Sequence, residues 1–243
     1  WPSRRSAVAA SSSRSPESPE MSRSYPRSAR SRANSYPMPL DAPVTTANCF
    51  VMVAGCPRNG WLIPRCRGNR VSMRALTWQG TSKVSVETVA DPKIEKPTDA
   101  IIKITSTAIC GSDLHLYDVL GMYLEKGDVL GHEPMGIVEE VGPEVTHIRP
   151  GDRVVIPFNI SCGHCWMCSR GYFAQCETTQ VKEHGKGASL FGYTKLYGQV
   201  PGGQAEYLRV PQAHFGPIKV PEGHPDERYL FLSDVLTTSW QAA

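Results

Sequence analysis

Gly131-His132-Glu133-Pro134-Met135-Gly136-Ile137-Val138-Glu139-Glu140-Val141-Gly142 is the stretch on which the reading of this chain turns. It sets a histidine beside a carboxylate, then runs through a β-branched segment that closes at a glycine, as a strand bounded by turns does. About 30 residues further on, Cys162, Cys165, Cys168 and Cys176 are spaced C-x2-C-x2-C-x7-C. The two patterns are metal signals of different kinds. A closed four-thiolate set with a separate mixed Cys/His set predicts one zinc for folding and one for chemistry.

Closely spaced thiolates suit Zn2+, which takes four ligands tetrahedrally at about 2.3 Å. Gly163 frees the backbone to turn between the first two cysteines, and Gly171 falls in the longer loop. Other chemistries compete. An iron–sulfur run of this type usually has its fourth cysteine three residues on, followed by proline; here the gap is seven and Glu177 follows. Disulfides between cysteines three apart strain the required geometry. A nucleic-acid zinc ribbon would have a basic surround, yet only His164, Arg170 and Lys182 lie near. His164 reads as a bystander facing solvent.

Outward from these motifs the chain is strand-rich. Val84 to Val89 alternates as a half-buried strand does, and Ala100 to Ile109 is β-branched and strand-like. Gly136–Gly142, Asp152–Pro157 and Gln204–Pro211 are further strands between Gly, Pro and Asp turns. Residues 226–243 turn toward helix, with Pro225 near the start. The expected fold is mainly β, barrel-like or sandwich-like, with short helices and a cysteine lobe over about 158–180.

Charge divides the chain. Residues 1–72 carry eleven Arg, no Lys and three acidic residues, a balance of +8, whereas residues 73–243 balance at −5, giving the overall +3. The folded part is therefore slightly acidic, which weighs against a nucleic-acid or anionic-membrane surface. Residues 1–36 are rich in Ser, Arg and Pro, too poor in apolar side chains to offset their ordering entropy. The expectation is that 1–72 is upstream sequence or an unprocessed leader, with a domain starting at Met73. An Arg- and Ser-rich start also resembles an organelle transit peptide, but a cytoplasmic location is expected. No stretch approaches the ~20 apolar residues of a membrane span, and no secretory signal is visible. Eight cysteines in such a chain argue for metal or catalysis before disulfides.

Cys110-Gly111-Ser112-Asp113-Leu114-His115 follows directly from the strand at 100–109. Singly, such a cysteine reads as core filler and such a histidine as a satisfied core residue. They gain weight because ligand types recur with hydroxyl and carboxylate neighbours. Together with Gly131-His132-Glu133, Gly136, Gly142 and Val145, the run Gly151-Asp152-Arg153-Val154 and the cysteine lobe, they resemble the zinc-dependent medium-chain alcohol dehydrogenases. The resemblance covers about 170 residues from Met73 to Ala243. Pro157-Phe158-Asn159-Ile160-Ser161-Cys162-Gly163, Gly202-Gly203-Gln204-Ala205-Glu206-Tyr207 and Leu232-Ser233-Asp234-Val235-Leu236-Thr237-Thr238 are most similar to the glutathione-independent formaldehyde dehydrogenase-like branch.

That resemblance implies a GroES-like catalytic domain over 73–232, with 233–243 starting a helix toward a nucleotide-binding domain. It implies that Cys110, His132 and Asp234 hold a catalytic zinc, and that Cys162, Cys165, Cys168 and Cys176 hold a structural one. Glu133 would lie close behind the metal. Ser112 would take the substrate proton and pass it toward His115, also placed beside the cofactor. Asp113 would orient a ligand imidazole, Phe158 would line the pocket and Thr238 would approach the nicotinamide. The remaining histidines, His147, His184, His214 and His224, match no ligand position. The implied reaction moves hydride from a zinc-bound alcohol, or an aldehyde hydrate, to NAD, in a homo-oligomer when full length.

A dinucleotide fingerprint is missing: Gly185-Lys186-Gly187-Ala188-Ser189-Leu190 begins as G-x-G-x-x-G and fails at the third glycine. The expectation is that these 243 residues are an N-terminal fragment, without the family's Rossmann domain and inactive alone. Two other readings stand beside the enzyme: a non-catalytic zinc-binding module, and a partner- or nucleic-acid-binding protein using the Arg/Ser tail. No aromatic interleaving or basic helix supports the last.

Overall fold

The computed structural model describes residues 50–53 and 71–243. Its strands are β1 (Phe50–Val53), β2 (Ser72–Gly80), β3 (Lys83–Ala90), β4 (Ala100–Ile109), β5 (Pro134–Val141), β6 (Arg153–Val155), β7 (Tyr207–Val210) and β8 (Ile218–Lys219). The helices are α1 (Gly111–Asp118) and α2 (Val235–Ala242), with several single 3-10 turns between elements. The fold is mainly β, as the strand-like runs predict.

β4 organises the larger sheet. It pairs antiparallel with β5 from Ala100 to Thr107, while β1 and β7 share its other edge, pairing with residues 106–109 and 100–103. β6 and β8 extend the sheet beyond β5, and β2–β3 form a separate hairpin. β4 is apolar at successive positions because both its faces are covered. Ile102, Ile104, Val138, Val154, Leu208 and Phe191 build one core, and Ala108, Met135, Val155 and Leu230 build another. A register shift between Ile104 and Ser106 lets one strand feed both.

The helical reading of 226–243 needs correction. Asp226–Arg228 and Leu230–Ser233 are 3-10 turns, and helix begins only at Val235. Leu230 is fully buried and Asp234 sits at φ −151°, ψ −65°, so packing interrupts the helix. β1 falls inside the 1–72 stretch expected to stand outside the domain; the expected disorder of residues 1–36 lies outside the described residues.

Candidate metal centres

The lobe between β6 and β7 holds four cysteines, three of them buried, whose sulfurs all lie within 4.8 Å of one another. Gly163 has φ +78° and Gly171 φ +82°, the left-handed turns the loop needs. The Sγ atoms of Cys165 and Cys176 are 4.0 Å apart. That is twice an S–S bond of about 2.05 Å, and close to the ~3.8 Å edge of a tetrahedron with 2.3 Å metal–sulfur bonds. Backbone N–H groups already point at sulfur: Cys165 N–H donates to Cys162 Sγ at 3.3 Å, Cys162 N–H to Cys176 Sγ at 3.4 Å, and Cys168 N–H to Cys165 Sγ at 3.5 Å. Thr178 Oγ1 adds a fourth donor to Cys162 Sγ at 3.1 Å. Donors aimed at sulfur favour thiolate. The Cys168 N–H leads in holding Cys165 down to about 6. Burial pushes Cys168 up to about 12, with the Cys165 and Cys176 thiols adding to it. Burial also raises Cys176, but the Cys162 N–H and Thr179 outweigh it. Four sulfurs converging within 4.8 Å, with donors aimed at them, make a thiolate-favouring set that fits zinc.

His164, expected to be idle, is exposed but its Nδ1 donates to the Cys162 carbonyl at 2.9 Å. His214, which matches no ligand position, is half-buried and donates from Nε2 to the same oxygen at 2.9 Å.

The second centre is assembled from three segments. β4 ends at Ile109, and Cys110 caps α1, where its backbone N–H donates to Asp113 Oδ2 at 2.8 Å. His132 and Glu133 precede β5, and Asp234 precedes α2. Cys110, His132, Glu133 and Asp234 each present a ligand atom within 4.8 Å of the others. Gly131 sets the histidine: its φ is +100°, and a Cβ there would lie 2.6 Å from the Gln204 backbone nitrogen. The Gly202-Gly203-Gln204 run closes on this turn, with Gly203 N–H donating to the Gly131 carbonyl at 2.8 Å.

The His132 side chain is only 4% exposed and sits between carboxylates, Nδ1 at 3.2 Å from Asp113 Oδ1 and Nε2 at 3.3 Å from Asp234 Oδ2. Ser112 Oγ is 3.2 Å from the same Nε2. Burial works to lower the imidazole's pKa, but Asp113, Asp234 and Cys110 override it and push it up to about 12. Burial raises Glu133 to about 7, with the charges of Asp234 and Asp113 adding to it, against His132 and the Val235 N–H. Contact with His132 lowers Cys110. The histidine thus lies in an acid-rich cage. A divalent ion facing Nε2, the thiolate and the carboxylate satisfies the same charges with neutral histidine, so the residues fit zinc.

Ser112 joins this cluster. His115 is exposed on α1 and is not among the grouped ligand atoms. Thr238 is exposed on α2, its hydroxyl donating to Asp234 Oδ1. Phe158 is half-buried, its N–H donating to the Ser233 carbonyl at 3.0 Å. Sequence reading missed Tyr193, which meets the His132 ring edge-on at 6.2 Å. No spacing rule links positions 132 and 193.

Two metal-competent clusters thus lie on one mainly β domain with a cysteine lobe. Residues 96–222 match the model of the alcohol dehydrogenase GroES-like domain, and the chain belongs to the zinc-type medium-chain alcohol dehydrogenase family. It is 52% identical over 170 residues to an uncharacterized zinc-type alcohol dehydrogenase-like protein of Bacillus subtilis, covering 69% of this chain and 44% of that one. It is 38% identical over 181 residues to the glutathione-independent formaldehyde dehydrogenase of Pseudomonas aeruginosa, covering 70% of this chain and 44% of that one. An alcohol dehydrogenase from Thermus sp. ATN1 superposes with a TM-score of 0.63 at 38% identity, over 69% of this chain and 46% of that one. The chain thus spans less than half the length of these relatives. Among the described residues no helix is long and apolar enough to cross a membrane.

Proposed function

We propose that the chain is the catalytic part of a zinc-dependent alcohol or aldehyde dehydrogenase, and that Cys110, His132 and Asp234 hold its catalytic zinc. The observation that carries this is the convergence of those three ligand types, from three segments, around the Nε2 face of a buried histidine. A zinc ion held there by Cys110, His132 and Asp234 would supply Lewis acidity toward the hydroxyl of an alcohol or aldehyde hydrate. Asp113 holds His132 through Nδ1, fixing the ring so that Nε2 faces the ligand side. Ser112 Oγ stands beside Nε2, placed to accept the substrate's hydroxyl proton and hand it toward exposed His115. Glu133 is buried and offers a carboxylate oxygen within 4.8 Å of the other ligand atoms, which supports the family-implied role of a residue able to exchange with one of them.

Hydride acceptance by NAD, with Thr238 and His115 near the cofactor, rests on the family resemblance. The described residues contain no doubly wound crevice for a dinucleotide, so the 243 residues assayed alone are expected not to reduce NAD. The four cysteines of the lobe hold a second, structural zinc, for which the N–H···S pattern is the support.

Elemental analysis of the purified chain tests the reading. Two zinc ions per chain are expected, and Cys110→Ser leaves one. In the full reading frame, Cys110→Ser is expected to abolish alcohol- and aldehyde-dependent NAD reduction. Undiminished turnover overturns the catalytic assignment, and one zinc in the unaltered chain favours a non-catalytic zinc-binding module.

A further inference from the structure

Eight residues before Asp234, and on no ligand set, Asp226 has both carboxylate oxygens engaged by donors from other segments. Its Oδ1 accepts from Arg153 Nε at 2.9 Å and from Arg153 Nη2. Its Oδ2 accepts from Thr105 Oγ1 at 2.6 Å and Ser106 Oγ at 2.7 Å. Adjacent residues in a regular strand point to opposite faces. Thr105 and Ser106 reach one oxygen because the β4 register shifts between Ile104 and Ser106. Arg153 is itself buried, and its Nη1 donates to the Pro221 carbonyl at 3.2 Å. Its guanidinium also lies 5.6 Å from the Tyr229 ring centre.

These contacts join the segments that build the second centre. β4 carries Thr105 and Ser106 and ends beside Cys110. β6, bearing Arg153, is hydrogen-bonded to β5, which follows His132 and Glu133. The segment from Asp226 carries Leu230 into the core with Ala108, Met135 and Val155, then Ser233, then Asp234. Asp234 comes from the segment most distant in sequence from the other ligands, and α2 after it is exposed along most of its length. What fixes Asp234 against Cys110 and His132 is therefore the docking of residues 226–233.

We infer that Asp226, clamped by Arg153, Thr105 and Ser106, is a positioning residue that sets the Asp234 carboxylate for the metal, and so tunes the affinity of the second centre alone. The inference rests on the ligand assignment above. A clamp that only adds stability would weaken both centres together, or neither; a clamp that positions Asp234 weakens one.

The test is Asp226→Asn in the 243-residue chain, with zinc affinity measured at each centre by competition with a chromophoric chelator. Co2+ substitution separates the centres by their visible spectra, since four thiolates and a mixed Cys/His/Asp set absorb differently. The variant is expected to bind zinc at the second centre on the order of tenfold more weakly, the lower end of what loss of a supporting contact does to a metal site. Its cobalt spectrum at that centre shifts, while the four-cysteine affinity and spectrum stay unchanged. Thr105→Val and Ser106→Ala, which each remove one donor and leave the Arg153 pair, give the same pattern at smaller size and serve if Asp226→Asn does not fold. Second-centre affinity equal to that of the unaltered chain overturns the inference, as does an equal loss at both centres. If the unaltered chain binds no second zinc, the ligand assignment fails instead, so the two failures are told apart.

Discussion

The two centres differ in how far their ligands travel along the chain. The four lobe cysteines span residues 162–176, and their N–H···S bonds come almost wholly from that same loop. The second centre draws Cys110, His132 and Asp234 from positions up to 124 apart, and depends on β4, β5 and the 226–233 segment lying correctly. A local site is built by loop geometry, whereas a distributed one is built by the core. It follows that a change that misplaces one ligand segment should weaken the second centre and leave the lobe's ligands in place, whereas a loss of overall stability alone should not single out either centre.

The largest expected effect is at the lobe. Cys168→Ser removes a buried ligand, and the metal-binding energy that is also folding energy goes with it. The zinc count drops by one and the melting temperature falls by on the order of 10 °C, at about 3 °C per kcal/mol for a domain of this size. Differential scanning calorimetry with zinc analysis checks it. If the second centre also empties, the two are not independent.

Next, Gly131→Ala strains a residue at φ +100° and drives a Cβ into the Gln204 backbone. It is expected to cost about 2 kcal/mol or more, read by urea unfolding, and to weaken zinc at the second centre while the lobe keeps its own. His132→Ala removes the ligand outright, and the stoichiometry falls to one zinc with the lobe's cobalt spectrum intact.

A smaller effect is pH-dependent. Burial raises the Asp226 carboxyl, but Thr105, Ser106 and Arg153 prevail and hold it below the usual carboxylate range. A depressed folded pKa contributes stability that is fully present above the unfolded value of about 3.9, and lost as pH falls through the folded one. Asp226→Asn should therefore flatten the acid side of the stability profile below about pH 4, measured in metal-free protein by urea unfolding. A profile parallel to that of the unaltered chain would show that Asp226 gains nothing from its partners. The smallest change is expected from Arg170→Ala: the guanidinium lies 3.8 Å from the exposed Trp166 ring, a contact worth about 0.5 kcal/mol, with no change at either metal.

The lobe was legible because its ligands, spacing and glycines are neighbours, so one window of sequence contains the whole motif. β4 and β5 were legible from apolar β-branched runs, and β7 from a short run between turn residues. The helix of 226–243 was misread in extent, since local propensity does not register that Leu230 must enter the core and Asp226 must meet Arg153. His214 and Tyr193 gave no signal, because each acquires its partner only through folding.

From the sequence alone come the residue types, the thiolate spacing and the strand periods, all properties of near neighbours along one chain. Tertiary structure decided that Asp234 reaches Cys110 and His132, that Glu133 and Asp113 surround the imidazole, and that two adjacent hydroxyls of β4 converge on Asp226. The physical reason is that those contacts depend on sheet register and core packing, and a one-residue shift in a strand sends a side chain to the opposite face.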